Sequence, residues 1–374
     1  MTDSALTPLD LQIRAQIAAS GPMRLDEVMA IALGDPDHGY YQKAEPFGQD
    51  GDFITAPEIS QCFGELIGLW AVQLWRDAGA PAPFNLVELG PGRGTLMADA
   101  LRSARLDPTF IQAAQIHLVE TSERLREQQA TKLANLASPT WHDTIDGVSD
   151  DFSIFIANEF FDALPIRQFQ RLTSGWAERM VTDNGTSLTI GAEAIDKSAA
   201  PLDRTQQTAP MDSVVEVSEA SIEVAQQIAK RIVSQGGGAL IIDYGYSDQD
   251  RPTGQPWAQT LQALHGQKPA PALTRLGEAD ITAHVDFGRL ARAAVEVGAA
   301  ASPVIPQGTF LEALGIGVRL QQLLANAKDG EQVERLRSGV ARLTDQTQMG
   351  SLFKVLALHH PQQPPLAGFP VTTP

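Results

Sequence analysis

The stretch Asn85-Leu-Val-Glu-Leu-Gly-Pro-Gly-Arg-Gly-Thr95 joins a short apolar run to a helix-forming segment through three glycines. Leu86, Val87 and Leu89 suit a central parallel strand covered on both faces. Gly90, Gly92 and Gly94 let the backbone turn tightly and admit a ligand where side chains would clash. The helix predicted over residues 95–104 then directs its first N–H groups at that ligand. Glu88 stands just before the glycines, and the next predicted strand, Gln115-Ile-His-Leu-Val-Glu120, also ends in a carboxylate.

Spacing separates two cofactor classes. A dinucleotide fingerprint reads G-x-G-x-x-G/A with an acid about 20 residues on, whereas here the third glycine comes one position early and Thr95 takes its place. An NAD-dependent oxidoreductase is therefore disfavoured. Glu120 is placed to accept both hydroxyls of a ribose, and the Glu88 carboxylate suits an ammonium. The run of apolar strand, Glu, three alternating glycines and a second strand ending in Glu resembles motif I of the class I S-adenosylmethionine (SAM) methyltransferases. That resemblance implies SAM as cofactor, with Glu88, Gly90, Pro91, Gly92, Gly94 and Glu120 around it.

Outward from the loop, strands predicted at 85–89, 115–120, near Thr140 and at 152–157 alternate with helices at 95–104 and 122–134. This is the pattern of an α/β, Rossmann-like, doubly wound sheet. After Pro165 the period changes to 2, and 166–172, 176–181 and 187–190 are separated by Thr173-Ser-Gly and Asp183-Asn-Gly-Thr, which predicts an antiparallel β insertion. A strand at 238–243 and a last one at 352–359 complete the sheet. Before it, a helix predicted over 57–78 carries apolar residues at 3- to 4-residue steps, with Gly64 and Gly68 allowing close packing. The expected organisation is a helical cap region over 1–80, the SAM-binding first half of the sheet over 81–165, and a hairpin insertion and linker over 166–210. The second half follows over 211–360, with a candidate substrate loop at 247–277, and a Pro-rich tail over 361–374.

A formal net charge of −17 disfavours nucleic acid as a partner, since a phosphate backbone would be repelled, and favours cationic substrates. Cys62 is the only cysteine, and the seven histidines include no i, i+4 pair, so no metal site is indicated. Residues 66–75 form the most apolar stretch, too short for a membrane span. The N-terminal residues lack a secretory or organelle-targeting pattern, and a cytoplasmic location is expected.

Asn158-Glu-Phe-Phe-Asp-Ala-Leu-Pro165 leaves the C-terminal end of the fourth parallel strand, where an open α/β sheet places its ligand crevice. Asn158 is a candidate to orient acceptor or cofactor, and Glu159 or Asp162 to accept hydrogen bonds from a nitrogen nucleophile. Asp143 either accepts the exocyclic amine of adenine or caps its loop. Asp243 either faces the crevice or anchors the next turn. Asp52, Thr55 and Glu58 either cap the following helix or close over the cofactor. His284 and Asp286 either line the acceptor side or form a helix cap beside a surface histidine.

Five motifs in order carry a closer resemblance: Gly51-Asp-Phe-Ile-Thr-Ala-Pro-Glu-Ile-Ser60, Val87-Glu-Leu-Gly-Pro-Gly-Arg-Gly94, Asn158-Glu-Phe-Phe-Asp-Ala-Leu-Pro165, Asp243-Tyr-Gly245 and Asp280-Ile-Thr-Ala-His-Val-Asp-Phe287. As a set they resemble the MidA-type methyltransferases. The resemblance implies an arginine side chain of a protein client as acceptor, such as a respiratory complex I subunit. A SAM-binding assembly chaperone with little turnover is the alternative, since an acidic surface and a long loop suit client binding as well as catalysis.

Overall fold

The structure, a computed structural model, describes residues 6–43, 54–196, 199–266 and 268–370. Two compact units form, each from three separated stretches: Met1–Phe53, Asp162–Glu223 and Tyr246–Asp286 in one, Ile54–Phe161, Val224–Gly245 and Phe287–Pro374 in the other.

The second unit holds the parallel sheet. Its strands run in the order Thr140–His142, Ala114–Val119, Phe84–Leu89, Ser153–Asn158, Gly237–Tyr246 and Phe353–His359. Neighbours are parallel as far as Gly237–Tyr246. Phe353–His359 runs antiparallel to it, with Leu240 opposite Ala357. Every residue of Phe84–Leu89 and Ser153–Asn158 is buried, as strands covered on both faces require. From Phe84–Leu89 the chain builds outward to Thr140–His142, then returns to Ser153–Asn158 on the other side of its starting strand. Connections leaving those two central strands diverge, and such a switch is where an open sheet forms its crevice.

The helix predicted over 57–78 is two helices, Ala56–Ile59 and Gln61–Asp77. Ser60 sits between them in extended conformation, and its hydroxyl accepts from the Cys62 N–H at 3.3 Å, so a capping serine overrides a continuous apolar stripe. Gln61–Asp77 packs on Thr95–Ala104 through its glycines: a Cβ at Gly64 would lie 2.6 Å from the Asp99 side chain, and one at Gly68 only 2.4 Å from the Ala100 carbonyl oxygen. Gly68→Ala should therefore destabilise the protein by about 1–3 kcal/mol, the usual cost of overpacking. Urea unfolding would check this, and an unchanged midpoint would show that the two helices can move apart freely. Further along, Gln307–Ala313 and Ile316–Leu324 are separate helices, because Gly315 between them is left-handed at φ 88°. The Pro-rich tail docks as far as it is described, with Leu366 buried and the Phe369 ring 5.2 Å from that of Phe310.

In the first unit, the helices Pro8–Ser20 and Leu25–Gly34 pack into an apolar cluster that includes Leu9, Ile13, Val28 and Ile281. Thr7 and Asp10 cap the first of them reciprocally, side chain to backbone, at 3.1 and 2.9 Å. The antiparallel insertion comprises Arg167–Leu172, Gly175–Asp183 and Leu188–Ile195. Met23–Arg24 and Val214–Val217 extend its sheet, the latter a four-residue strand too short for its alternation to be read. Within 247–277, Gln262–His265 and Lys268–Ala270 are strands that join Asp280–Thr282 in a second small sheet, so much of the candidate loop is regular structure. No helix among the described residues is long and apolar enough to cross a membrane.

Candidate functional site

At the end of Phe84–Leu89 the chain turns through Gly90, Gly92 and Gly94 with φ of 60°, 51° and 75°, a region that disfavours any side chain. A Cβ at Gly90 would meet the Phe160 ring at 2.9 Å. Gly94 is the N-cap of the Thr95–Ala104 helix. Glu88, 3% exposed, accepts a hydrogen bond from the Met97 N–H, while its Oε2 has no partner. Burial pushes this carboxyl up to about 8. An orphaned buried oxygen beside a glycine turn is an acceptor waiting for a donor that the protein does not supply.

Gln129, fully buried on the Glu123–Leu133 helix, braces the turn: its Nε2 donates to the Gly92 carbonyl at 2.8 Å and to Glu120 at 3.2 Å, and its Oε1 accepts from Trp141 at 2.8 Å. Nothing in the sequence marks it, since a glutamine among polar helix residues carries no signal. Glu120 also accepts from the Ser122 N–H at 2.8 Å, and burial raises its carboxyl above the usual range despite these bonds. Asp143 is exposed and forms an ion pair with Arg126 at 2.6 Å. The Arg126 guanidinium also bonds the Glu120 carbonyl, which ties the ends of the second and third strands together.

At the end of Ser153–Asn158, Asn158 is buried with its Oδ1 unpartnered and its Nδ2 donating to Glu159 at 3.1 Å. Glu159 adopts φ 50°, strained for a residue other than glycine, and such strain persists where the surroundings enforce it. Two contacts do so: its N–H donates to the Ile242 carbonyl, and its Oε1 accepts from the Ala56 N–H, both at 2.9 Å. Asp243 is fully buried and accepts from the Phe161 and Tyr244 N–H groups at 3.0 and 2.9 Å, so its carboxylate fixes the turn after Glu159. Thr55 makes no side-chain cap; Glu58 instead accepts from the Thr95 hydroxyl at 2.5 Å, and Lys132 donates to the same hydroxyl. Glu58 thus ties the segment after Ile54 to the head of the glycine-loop helix. Asp52 lies outside the described residues.

The remaining candidates belong to the other unit. Asp162 is buried, and its carbonyl accepts from the Ala283 N–H at 3.0 Å. Asp286 pairs with Arg251 at 2.6 Å and accepts from Gln206 at 3.2 Å, and that guanidinium lies 3.8 Å from the Trp257 ring centroid. His284 is partly buried, which lowers its imidazole, and its N–H donates to the Thr260 hydroxyl.

Residues 66–305 match a family of S-adenosyl-L-methionine-dependent methyltransferases. Over 96% of its length the chain is 37% identical to the protein arginine methyltransferase NDUFAF7 homolog, mitochondrial, of Drosophila melanogaster, covering 87% of that protein. It is 34% identical over 95% of its length to the human protein arginine methyltransferase NDUFAF7, mitochondrial, covering 84% of it. A Burkholderia thailandensis protein crystallised bound to S-adenosyl-homocysteine has a TM-score of 0.83 and 26% identity, covering 98% of this chain and 97% of that one. The class I doubly wound fold expected from the sequence is borne out by that likeness. The cytoplasmic location expected from the N-terminal residues is overturned: the relatives are named as mitochondrial proteins.

Proposed function

The chain belongs to the S-adenosyl-L-methionine-dependent methyltransferases, and from that premise we propose that it methylates an arginine side chain of a protein client, such as a respiratory complex I subunit. It is an enzyme, and SAM is its cofactor. What carries the arginine reading is the name protein arginine methyltransferase on relatives matched over nearly the whole chain. A net charge of −17 favours a cationic acceptor in the same direction.

The site's donors and acceptors fit the cofactor. The orphaned Glu88 Oε2 suits the ammonium of its methionine end, the turn at Gly90, Pro91, Gly92 and Gly94 admits its close approach, and Glu120 suits the ribose hydroxyls. Asn158 Oδ1 offers a further buried acceptor, and Asp143 lies beyond the third strand for the adenine amine. When bound, SAM supplies a methyl group already activated on a sulfonium. The protein's task is to align the nucleophile, which is worth up to ~7–11 kcal/mol. Neutralising a guanidinium fully at pH 7 would cost roughly 7–9 kcal/mol, so the acceptor is held by a carboxylate while its proton departs during or after transfer. Glu159 takes that part, with Asp243 fixing the turn that presents it.

Glu88 gives the cofactor reading a pH signature. Its carboxyl titrates at about 8 in the folded protein against 4.5 when free of burial, so its contribution to stability is fullest below 4.5 and is lost as pH rises through 8. A bound ammonium favours the carboxylate form. Binding of S-adenosylhomocysteine at pH 7 should therefore release a proton, and affinity should rise between about pH 6 and 8. Calorimetry in two buffers of different ionisation enthalpy measures this, and Glu88→Gln should bind more weakly with a flat profile. An affinity independent of pH in the parent protein would remove Glu88 from the ammonium.

The proposal is tested by incubating the protein with methyl-labelled SAM and purified complex I subunits, then hydrolysing the labelled product. Methylarginine is the expected species. Label on another residue type would overturn the acceptor, and a client bound stoichiometrically without label would favour an assembly chaperone.

A further inference from the structure

Phe160 follows Glu159 in the turn after the Ser153–Asn158 strand, and its ring lies against the first glycine of the cofactor loop. Its Cδ2 stands 2.9 Å, and its Cβ and Cγ 3.7 and 3.8 Å, from where a Cβ on Gly90 would be. Gly90 is therefore required twice over, by its φ of 60° and by the ring that fills its side-chain space. The Gly90 N–H donates to the Val119 carbonyl at 3.0 Å, so the turn against which the ring packs is itself fixed. The ring is held as well: the Glu159 N–H before it bonds the Ile242 carbonyl, the Phe161 N–H after it bonds Asp243, and the Phe161 ring meets it edge to face at 5.3 Å and 89°. Phe161 is 3% exposed, whereas Phe160 keeps part of its surface open. Among the described residues no arginine lies over the Phe160 ring, although arginines do lie over Phe169, Trp176, Tyr246 and Trp257.

We infer that the Phe160 ring contacts the sulfonium of SAM and thereby sets the preference for cofactor over product; the inference rests on the placement of the methionine end beside Glu88 proposed above and extends it. Gly90 lies two residues beyond Glu88, whose orphaned Oε2 takes the ammonium on that reading. Only the α, β and γ carbons of the methionine separate that ammonium from the sulfur, so a ring packed on Gly90 is within the cofactor's reach. An aromatic face carries negative potential and attracts a cation within about 6 Å of its centroid. A sulfonium has no N–H or O–H to donate, so an aromatic face answers its charge without needing a hydrogen bond. S-adenosylhomocysteine has the same ammonium, ribose and adenine but a neutral sulfur, and it forfeits this contact alone. The positive charge leaves sulfur as the methyl moves, so the ring favours exchange of spent product for fresh cofactor rather than a faster chemical step. Phe160 is thus a specificity residue, next in the chain to the carboxylate proposed to hold the acceptor.

The test measures affinity for SAM and for S-adenosylhomocysteine by calorimetry, without client, in the full-length parent and in Phe160→Leu, Phe160→Tyr and Glu88→Gln. Phe160→Leu should lower the ratio of SAM affinity to S-adenosylhomocysteine affinity roughly 3- to 30-fold, the span of a cation–π contact from partly to fully desolvated, and Phe160→Tyr should keep it. Replacing Phe160 by 3,4,5-trifluorophenylalanine, which keeps the ring's shape but weakens its negative face, should lower the ratio in the same direction and decides the matter if the leucine variant fails to fold. An unchanged ratio in the trifluoro protein overturns the inference. So does an equal loss of affinity for both ligands in a folded Phe160→Leu protein, which would make the ring a packing element of the turn. Glu88→Gln should weaken both ligands equally, because both carry the ammonium. Parental affinity for both in that variant would sink the placement of the methionine end, while the ratio in the Phe160 variants still decides the aromatic contact.

Discussion

Glu159→Gln should lose roughly 10²–10⁴-fold in the rate of methyl transfer, the range for a positioned acid or base, with S-adenosylhomocysteine affinity unchanged. The substitution keeps an oxygen that can accept from the Ala56 N–H and from Asn158 Nδ2, so the strained backbone at φ 50° keeps its restraints. What disappears is the negative charge, and with it the proposed charge-assisted hydrogen bond to a guanidinium. Single-turnover transfer to the client, read beside cofactor affinity, separates the possibilities. Transfer at the parental rate would remove Glu159 from the mechanism. Weakened cofactor binding would make Glu159 a cofactor ligand.

Gly92→Val should abolish measurable cofactor binding, a loss of at least ~100-fold, while the protein stays folded. The residue sits at φ 51°, where a β-branched side chain is strained by about 1–3 kcal/mol, and its carbonyl is held by Gln129. On the proposed cofactor placement, the added isopropyl group would occupy the space through which the methionine end approaches. Calorimetry with S-adenosylhomocysteine and a thermal melt together decide the matter. Parental binding by a folded variant would mean that the turn does not face the ligand.

Much of the parallel sheet was legible because its signals are local. Glycines that need positive φ follow a buried apolar run directly, and carboxylates stand at strand ends in sequence order. Long-range pairing was not legible. Gln129 is a polar residue on a polar helix, and only its position opposite Gly92, Glu120 and Trp141 gives it a task. Asp243 was readable as a crevice residue or an anchor, and the bonds from Phe161 and Tyr244 that favour the anchor come from tertiary folding. Likewise Tyr41 finds Asp280 across more than two hundred residues of chain. Ser60 shows the opposite limit: a local cap was present, but the apolar stripe running past it outweighed it in the reading.

The antiparallel position of Phe353–His359 has a consequence for how the protein is made. Gly237–Tyr246 leaves the ribosome with Ser153–Asn158 available as a neighbour, and the antiparallel partner of its residues 238–244 is synthesised roughly a hundred residues later. At about 5–20 residues per second that delay lasts roughly 5–20 s. Throughout it, the backbone groups of 238–244 that will bond the last strand lack those partners, with Ala239-Leu-Ile-Ile242 among them, the configuration that recruits other chains. A chain cut before residue 353 would keep that edge unpaired permanently and should aggregate rather than lose only the last strand.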